Sequence, residues 1–441
     1  MISEYRNKFI LKSIKQLRAI WSTAEGRKVG VNFLFLGLVQ FTNFILPLLL
    51  IPFIIGKIGV SKFGIISLAQ IVILFLIVIA DYGFNLTATK DVSLNRDSRF
   101  ELSKIVCKVI LIKLSILTVF FLSLTAFSFF QPTNNFIKAL FYGFAWVLGQ
   151  SLIPLWFFQG IEKMKFITIL NLLAKIIYAL LLFLFLGTED DYFLIHLFNG
   201  LSLSLVGVLS LIFVFSHYHL SFIAPTFSEV KSELRNGFPI FLANISITSY
   251  NNSNPLILSF FVTPLYIGYY SIAEKVIFAL RQLIGIFSQS LYPYLCRLSE
   301  GSFSILRSTI IKFFIPLYFG LLIATGLIFV FSTQIVSLLG VANATESSSI
   351  LRAMSFIPII VALNIPPYLV LIIYNFNRSM MVIVVTGSIL NILLNCFLSY
   401  KFSVQGTVAA VLITELYISI GMFLILQFRH APYSLIKNTL K

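Results

Sequence analysis

Long apolar stretches separated by short polar breaks follow one another along almost the whole chain. Between residues 29 and 428, runs of ~18 or more residues with few charges recur, and each is long enough to cross the ~30 Å hydrocarbon layer of a bilayer as a helix. The alternation of apolar and polar residues that marks a transmembrane β-strand is absent. We predict twelve spans, at roughly 29–56, 64–88, 106–130, 136–159, 166–187, 192–215, 236–262, 265–293, 310–333, 350–374, 379–400 and 404–428.

The breaks between these spans are short and contain Pro, Gly or charged residues. The longest connections, around 216–235 and 294–309, are too short to form a folded domain outside the membrane. The pattern therefore predicts an all-α polytopic membrane protein with two six-helix halves. We divide the chain into a cytoplasmic basic tail at 1–28, an N-terminal half at 29–215, a cytoplasmic linker at 216–235, a C-terminal half at 236–428 and a cytoplasmic tail at 429–441.

The distribution of Lys and Arg predicts which ends of the spans face the cytoplasm. Of the 32 Lys and Arg residues, 23 lie in the two tails and in the connections that follow even-numbered spans, whereas five lie in the other connections. This asymmetry predicts that both termini are cytoplasmic. The net charge of +16 is therefore a topology signal rather than a sign of nucleic-acid binding.

The first 28 residues carry seven of these basic side chains. Ile10, Ile14, Leu17 and Trp21 recur among them at helical spacing. This pattern predicts an amphipathic helix that lies on an anionic membrane surface. A solvated basic tail that only sets the topology is an equal alternative, and the two are compatible.

An internal repeat relates the two predicted halves. The segment 64–73 resembles 268–277, and 43–47 resembles 251–255. Because six spans is an even number, the two halves share one orientation, and we expect a pseudo-two-fold axis along the membrane normal. Spans 1 and 7, and spans 2 and 8, then occupy equivalent positions on either side of a central cleft.

Ionisable side chains inside the predicted spans are the main candidates for chemistry. Each costs roughly 2.5–3.5 kcal/mol at mid-bilayer on insertion scales, so it normally faces protein or water. The short side chains of Asp81 and Glu415 favour a cavity, whereas Lys113 and Lys175 are either interface anchors or cavity walls. Span 8 carries three more, which predict a charged cavity lining, with a structural ion pair as the alternative: Glu274, Lys275 and Arg281.

Amides and prolines occur at equivalent places in spans 1 and 7. Span 1 contains Asn43 and Pro47, and span 7 contains Asn251, Asn252 and Pro255. A proline frees a backbone carbonyl and bends a helix, and nearby polar side chains satisfy that carbonyl or face water. We expect bending elements that line the cleft. Hydrogen bonding between neighbouring helices is the alternative.

No arrangement of residues typical of an enzyme is found. The chain has no P-loop, no His cluster with metal-ligand spacing and no nucleophile elbow, so we expect no catalytic residues, no metal and no cofactor. Cys107, Cys296 and Cys396 lie far apart and are interpreted as small apolar fillers. With no nucleotide site, any movement of a solute across the membrane by this chain would draw on an ion gradient, the substrate gradient or consumption of the product.

Five motifs occur in order along the chain and together carry a family resemblance. The most specific is Pro154-Leu-Trp-Phe-Phe-Gln-Gly-Ile-Glu-Lys-Met164, whose aromatic residues and Lys163 we interpret as anchors at the membrane interface. Together the motifs resemble the Wzx polysaccharide-repeat-unit flippases of the MOP (MATE-like) exporter superfamily. The other four are Asp81-Tyr-Gly83, Gly56-Lys-Ile-Gly-Val-Ser-Lys-Phe-Gly64, Ile267-Gly-Tyr-Tyr-Ser-Ile-Ala-Glu-Lys275, and Gln405-Gly-Thr-Val-Ala-Ala410 followed by Glu415.

The resemblance implies a function. An undecaprenyl-diphosphate-linked oligosaccharide would be turned from the cytoplasmic to the periplasmic leaflet of the bacterial inner membrane, with membrane lipids, a polysaccharide polymerase and a chain-length regulator as further partners. Cationic side chains would attract the diphosphate, and Asp81, Glu274 or Glu415 would couple transport to a proton or cation or gate it. The expected headgroup and cavity residues are Lys113, Lys175, Lys275, Arg281, Arg297, Asn43, Asn251 and Asn252.

Three other readings stay open. A drug or cation exporter of the MATE type should have an acidic, aromatic cavity, and the basic residues within the spans argue against it. A lipid II flippase usually has spans beyond twelve. A membrane polysaccharide polymerase or ligase usually has a sizeable periplasmic loop, and none is present here.

Overall fold

The computed structural model describes residues 24–342, 344–429, 431–433 and 435, and almost all of them are helical. The predicted amphipathic helix of the basic tail lies outside these residues, as does most of the predicted C-terminal tail. Over the described residues no β-strand occurs. The all-α class predicted from the apolar pattern is therefore confirmed.

The described helices run as follows in chain order. They are α1 (Ala24–Asp81), α2 (Phe84–Leu94), α3 (Arg99–Phe130), α4 (Asn135–Leu152), α5 (Leu155–Gly160), α6 (Met164–Phe185), α7 (Leu194–His217), α8 (Phe227–Leu258), α9 (Pro264–Ser299), α10 (Phe303–Val330), α11 (Ser332–Leu338), α12 (Ala344–Met354), α13 (Ile357–Ile373) and α14 (Asn377–Phe428). Short 3-10 turns occupy Glu189–Phe193 and Ala431–Tyr433.

Eight helical stretches in the described part are long and apolar enough to cross a membrane. The chain is thus a multi-pass membrane protein. The number of crossings stays a prediction, because the stretches Leu46–Leu94 and Arg378–Phe428 contain 49 and 51 residues, enough for two crossings each. Helices α8 and α9, which contain predicted spans 7 and 8, are not among the eight, because polar and charged residues interrupt their apolar runs.

The two longest helices each contain one residue with non-helical backbone dihedrals. In α1 this residue is Gly59, with φ 70° and ψ 168°, a conformation that glycine adopts without a Cβ clash. In α14 it is Ser403, with φ 51° and ψ −131°. Both lie between predicted spans. Pro47 and Pro255 sit inside α1 and α8 without such dihedrals, so their role in bending stays a prediction.

Helices α1 and α9 cross at two glycines. A Cβ on Gly64 would lie 1.9 Å from the carbonyl oxygen of Pro264, and one on Gly268 would lie 2.3 Å from the carbonyl oxygen of Val60. Residues 60 and 64 are related to 264 and 268 by the offset of the internal repeat, so the contact is reciprocal. Small residues allow this close approach of backbones between membrane helices.

Helices α4 and α7 pack equally closely. A Cβ on Gly200 would lie 2.3 Å from the backbone nitrogen of Trp146, and one on Gly149 would lie 2.6 Å from that of Ser204. Tyr192, in the preceding 3-10 turn, donates its hydroxyl to the side-chain oxygen of Asn135 at 3.0 Å. This packing fixes the two helices side by side, with Trp146 near His196, at a ring-centroid distance of 5.5 Å.

The motif from Pro154 to Met164 forms the short helix α5, and its aromatic residues are not interface anchors. Trp156, Phe157 and Phe158 are at most 1% exposed. The break before α5 turns these rings into the protein, where Thr89 on α2 donates its hydroxyl to the Trp156 carbonyl oxygen at 3.2 Å. The prediction of headgroup anchoring was wrong because the helix end folds back onto α2 instead of continuing to the surface.

The connection between the predicted halves is attached to α3. Helix α8 begins at Phe227, inside the stretch that we predicted as a linker at 216–235. Lys104 and Lys108 on α3 form salt bridges with Glu229 and Glu233 on α8, at 2.5 and 2.6 Å. Hydrogen bonds from the Lys104 amine, followed by those from Thr226, lower the pKa of Glu229 to about 2, so this carboxylate is charged at neutral pH.

The glycine crossing gives a first prediction. The substitutions Gly64→Ala and Gly268→Ala place a methyl group against backbone that cannot yield, and overpacking of this kind costs about 1–3 kcal/mol. We expect both variants to lower the Tm of the detergent-purified protein. Gly326→Ala on α10 is the matched control, because a Cβ there meets no atom within 4 Å. Equal Tm values for Gly64→Ala and Gly326→Ala would contradict the crossing.

Candidate functional site

Helices α1, α8, α9, α13 and α14 line a cavity of about 570 Å³, which we call the large cavity. Its lining combines amides, tyrosines and charged groups with apolar side chains. Six of the residues predicted from the sequence contribute to it: Asn251, Asn252, Glu274, Lys275, Arg281 and Glu415. The structure thus brings residues of spans 7 and 8 together with Glu415 of span 12, which lies 134 positions after Arg281 in the sequence.

One ion pair joins α9 to α14 at the large cavity. Arg281 donates from Nη2 to Oε1 of Glu415 at 3.1 Å. Asn364 on α13 donates to the other carboxylate oxygen at 2.9 Å, and the Tyr250 hydroxyl on α8 also hydrogen-bonds to this carboxylate. Glu415 is only 4% exposed. A buried carboxylate of this kind requires such partners, because an unpaired charge in an apolar interior is costly.

Glu274 and Lys275 lie about two turns before Arg281 on α9 and form different contacts. The Lys275 amine donates to Oε1 of Gln70 on α1 at 3.3 Å. The Glu274 carboxylate accepts a hydrogen bond from Tyr270 on its own helix. Gln70 and Lys275 both line the large cavity and also a second cavity beside it. We call their contact the partition.

The second cavity, about 310 Å³, lies between α1, α4, α6 and α7, and we call it the small cavity. Among its lining residues are two lysines, Lys175 and Lys275, and no Asp or Glu. Within the part of the chain that the structure describes, the Lys175 amine has no hydrogen bond or ion pair. The polar side chains that accompany the lysines are Ser67, Gln70, Gln150, Asn171, His196 and Asn199.

His196 is fixed by the backbone. It is 3% exposed, and its Nε2 lies 2.8 Å from the carbonyl oxygen of Ile66 on α1. Asn171 is likewise held, because its amide donates to the Ile167 carbonyl oxygen at 2.8 Å. Some of the polar side chains in the wall of the small cavity are therefore occupied by internal hydrogen bonds, whereas the Lys175 amine has none among the described residues.

Asp81 and Lys113 lie away from both cavities. The Lys113 amine is 2.9 Å from Oδ1 of Asp81, and the two side chains are 6% and 14% exposed, respectively. The ring of Phe84 lies 6.0 Å from the same amine. The pair joins the end of α1 to α3, and its geometry is that of a buried structural ion pair. The predicted roles of these two residues in coupling and headgroup binding stay predictions.

Of the remaining predicted residues, only Pro47 lines one of the two cavities among the described side chains. Arg297 is exposed in the last turn of α9 and lines neither cavity. Asn43 lies in α1, but its side chain is outside the described residues. Pro47 lines the small cavity, whereas Pro255 is buried in α8.

The sequence reasoning missed most of the uncharged partners. Gln70 is the clearest case, because the internal repeat aligns it with Glu274, and it contacts the neighbouring Lys275. That alignment could have identified it. Asn391 lies in a short match between 169–173 and 389–393, where it aligns with Asn171. For Asn364 no comparable signal existed, since single amides in apolar spans are common structural residues. No cluster of three His, Cys, Asp or Glu that could hold a metal ion occurs among the described residues.

Solved structures share this arrangement of helices. The inward-facing conformation of a multidrug resistance MATE family transporter of the MOP superfamily superposes with a TM-score of 0.69, at 13% identity, covering 93% of this chain and 100% of that one. The lipid II flippase MurJ in an inward closed conformation superposes with a TM-score of 0.64, at 17% identity, covering 90% and 87%. The chain therefore has the fold of the MOP superfamily transporters.

The sequence comparison is more specific. Residues 29–299 match the family described as "Polysaccharide biosynthesis protein", and the chain belongs to that family. A relative from Escherichia coli (strain K12), named "Putative O-antigen transporter", is 26% identical over 392 residues, which cover 87% of this chain and 93% of the relative. This relative and the two solved structures are named as transporters or flippases and not as enzymes, as the absence of catalytic motifs predicted.

The buried ion pair at Asp81 gives a second prediction. Removing one partner leaves a charge without compensation, so Asp81→Asn and Lys113→Met should each destabilise the protein by about 3–5 kcal/mol. The double variant should recover much of this loss. Thermal unfolding in detergent measures all three variants. Additive losses in the double variant would contradict a structural pair.

Proposed function

We propose that the protein flips undecaprenyl-diphosphate-linked oligosaccharide repeat units from the cytoplasmic to the periplasmic leaflet of the bacterial inner membrane. The family and the name of the Escherichia coli relative support a role in polysaccharide export, and the MurJ neighbour gives a lipid-linked precedent on the same fold. A polymerase and a chain-length regulator would take up the flipped unit. Both termini would be cytoplasmic, following the Lys and Arg distribution.

The small cavity carries this proposal. Two lysines and no carboxylate line it, so it favours an anion over the cations that a drug exporter would move. A diphosphate and its sugars cannot cross hydrocarbon unaided, whereas the polyprenyl chain is stable there. The basic and polar side chains of this cavity would solvate the headgroup, while the polyprenyl chain stays in the hydrocarbon.

Lys175 and Lys275 are the proposed diphosphate contacts. Lys113 is held by Asp81 and Arg281 by Glu415, so these two cations are already compensated. Lys275 has the neutral hydrogen-bond partner Gln70 and would bind the diphosphate from the side of the small cavity, whose lining contains no carboxylate. Arg281 would act at the far side of the partition, and the exposed Arg297 would help to collect the headgroup at the cytoplasmic surface.

Movement would follow alternating access of two six-helix halves. The reciprocal contact between Gly64 and Gly268 supports this arrangement, because an isologous contact is what a two-fold relation between the repeats produces. The twelve predicted spans give each half the same orientation. The crossing would then close one side of the cleft and separate when that side opens.

Ion coupling is proposed for the carboxylates of the large cavity. Glu415 binds Arg281, Asn364 and Tyr250, which come from three other helices, so a change in its charge would alter contacts across the C-terminal half. Glu274, beside the partition, is the second candidate. Asp81, held by Lys113, would act as a gating residue at the end of α1.

Loss of the cavity cations gives a third prediction. In proteoliposomes, Lys175→Gln and Lys275→Gln should each reduce translocation of a lipid-linked oligosaccharide at least about tenfold, because a charge-assisted hydrogen bond contributes about 1.5–3 kcal/mol. Lys312→Gln, which changes an exposed lysine outside both cavities, is the control. If both cavity variants translocate like the control, these lysines are not the headgroup site.

A fourth prediction concerns coupling. Translocation by the wild type should respond to an imposed proton or sodium gradient, and Glu415→Gln should abolish that response while the protein still inserts and folds. The measurement is the initial flipping rate with and without each gradient. A rate that ignores both gradients in the wild type would assign the acidic residues a structural role.

A further inference from the structure

The large cavity has a composition that the diphosphate does not explain. Its acidic and basic side chains are Glu274, Lys275, Arg281 and Glu415, so the positive and negative charges balance. Arg281 and Glu415 bind each other directly at 3.1 Å. A cavity with compensated charge gives an anion no net attraction, in contrast with the small cavity beside it.

Amides form the other polar part of this lining. Asn251, Asn252, Asn254, Gln282 and Asn391 all line the large cavity. Within the described residues, Asn251 and Gln282 make no side-chain hydrogen bond. An amide presents two donors and one acceptor with two lone pairs, so these side chains can pair with groups that both donate and accept.

Two other amides, Asn254 and Asn391, each use one polar atom of the side chain in a hydrogen bond within the protein and leave the other polar atom free. Asn254 accepts at Oδ1 from the Asn395 amide at 2.9 Å, which leaves its own NH₂ group for a ligand. Asn391 donates to the Thr414 hydroxyl at 3.3 Å, which leaves its carbonyl oxygen. These internal bonds orient the side chains before a ligand arrives, as a specific site requires.

We infer that the large cavity is the glycan-binding site, and that Asn251 and Gln282 are specificity-determining residues that recognise sugar hydroxyl groups. The inference rests on the proposed function, because it takes the cargo to be a lipid-linked glycan. Sugar hydroxyls are uncharged and both donate and accept hydrogen bonds, and Tyr250 and Tyr270 add aromatic faces and hydroxyls to the same lining.

The partition allows one covalent substrate to place its diphosphate in the small cavity and its sugars in the large cavity. Lys275 and Gln70 line both cavities, so a diphosphate beside Lys175 and Lys275 has its first sugar at the boundary. The remaining sugars then continue into the larger space of about 570 Å³. The charged and uncharged parts of the headgroup each meet a lining of matching chemistry.

The test compares two probes on purified full-length protein in nanodiscs. One is undecaprenyl diphosphate without sugar, and the other is the lipid-linked repeat unit extracted from source cells that lack this transporter. We expect the wild type to bind the glycosylated probe about tenfold more tightly, the gain from roughly two hydrogen bonds. In the double variant Asn251→Ala/Gln282→Ala the two affinities should converge, with that for the sugar-free probe unchanged.

The control is Gln131→Ala, which removes an exposed amide beyond the end of α3 and should keep the full preference. Both single variants are measured too, and thermal unfolding checks that each is folded. A double variant that keeps the preference, or one that loses affinity for both probes equally, overturns the inference that the large cavity is the glycan-binding site. A wild type without preference for the glycosylated probe also overturns it. If the wild type binds neither probe, the proposed function itself fails.

Discussion

The cost of an uncompensated charge in an apolar interior organises this molecule. Asp81 forms an ion pair with Lys113, and Glu415 forms one with Arg281. Two of the intramembrane cations are therefore neutralised by a carboxylate on another helix. Insertion costs of roughly 2.5–3.5 kcal/mol per charge explain why such pairs form. Lys175 has no such partner among the described residues and faces a cavity. This unpaired basic side chain is the observation on which the proposed headgroup site rests.

The reciprocal glycine crossing gives the same helices a second constraint. Because Gly64 meets Pro264 and Gly268 meets Val60, α1 and α9 approach at the backbone, and side chains beyond the crossing must diverge around it. Gln70 and Lys275 lie about two turns further along each helix, where the gap is bridged by their hydrogen bond. The close contact and the partition between the cavities are therefore consequences of one helix crossing.

The sequence predicted the polytopic helical class and six of the residues that line the large cavity, because apolar length and intramembrane charge are local signals. It could not predict which charges pair, since the partners of Lys113 and Arg281 are 32 and 134 residues away. It also placed Trp156 and its neighbouring rings at the membrane surface, because a short helix that folds back onto α2 has the same composition as a helix that ends at the headgroups. Periodicity describes elements and does not describe their neighbours.

The motif from Pro154 to Met164, which most clearly carries the family resemblance, packs its aromatic side chains inside the protein against α2. Trp156, Phe157 and Phe158 are buried, and a Cβ on Gly160 would lie 2.6 Å from the side chain of Val92, so this block determines how α5 seats on α2. A match in such a block reports a shared fold and says little about the cargo. The proposed substrate contacts lie elsewhere, on side chains that line the cavities, such as Lys175 and Gln282.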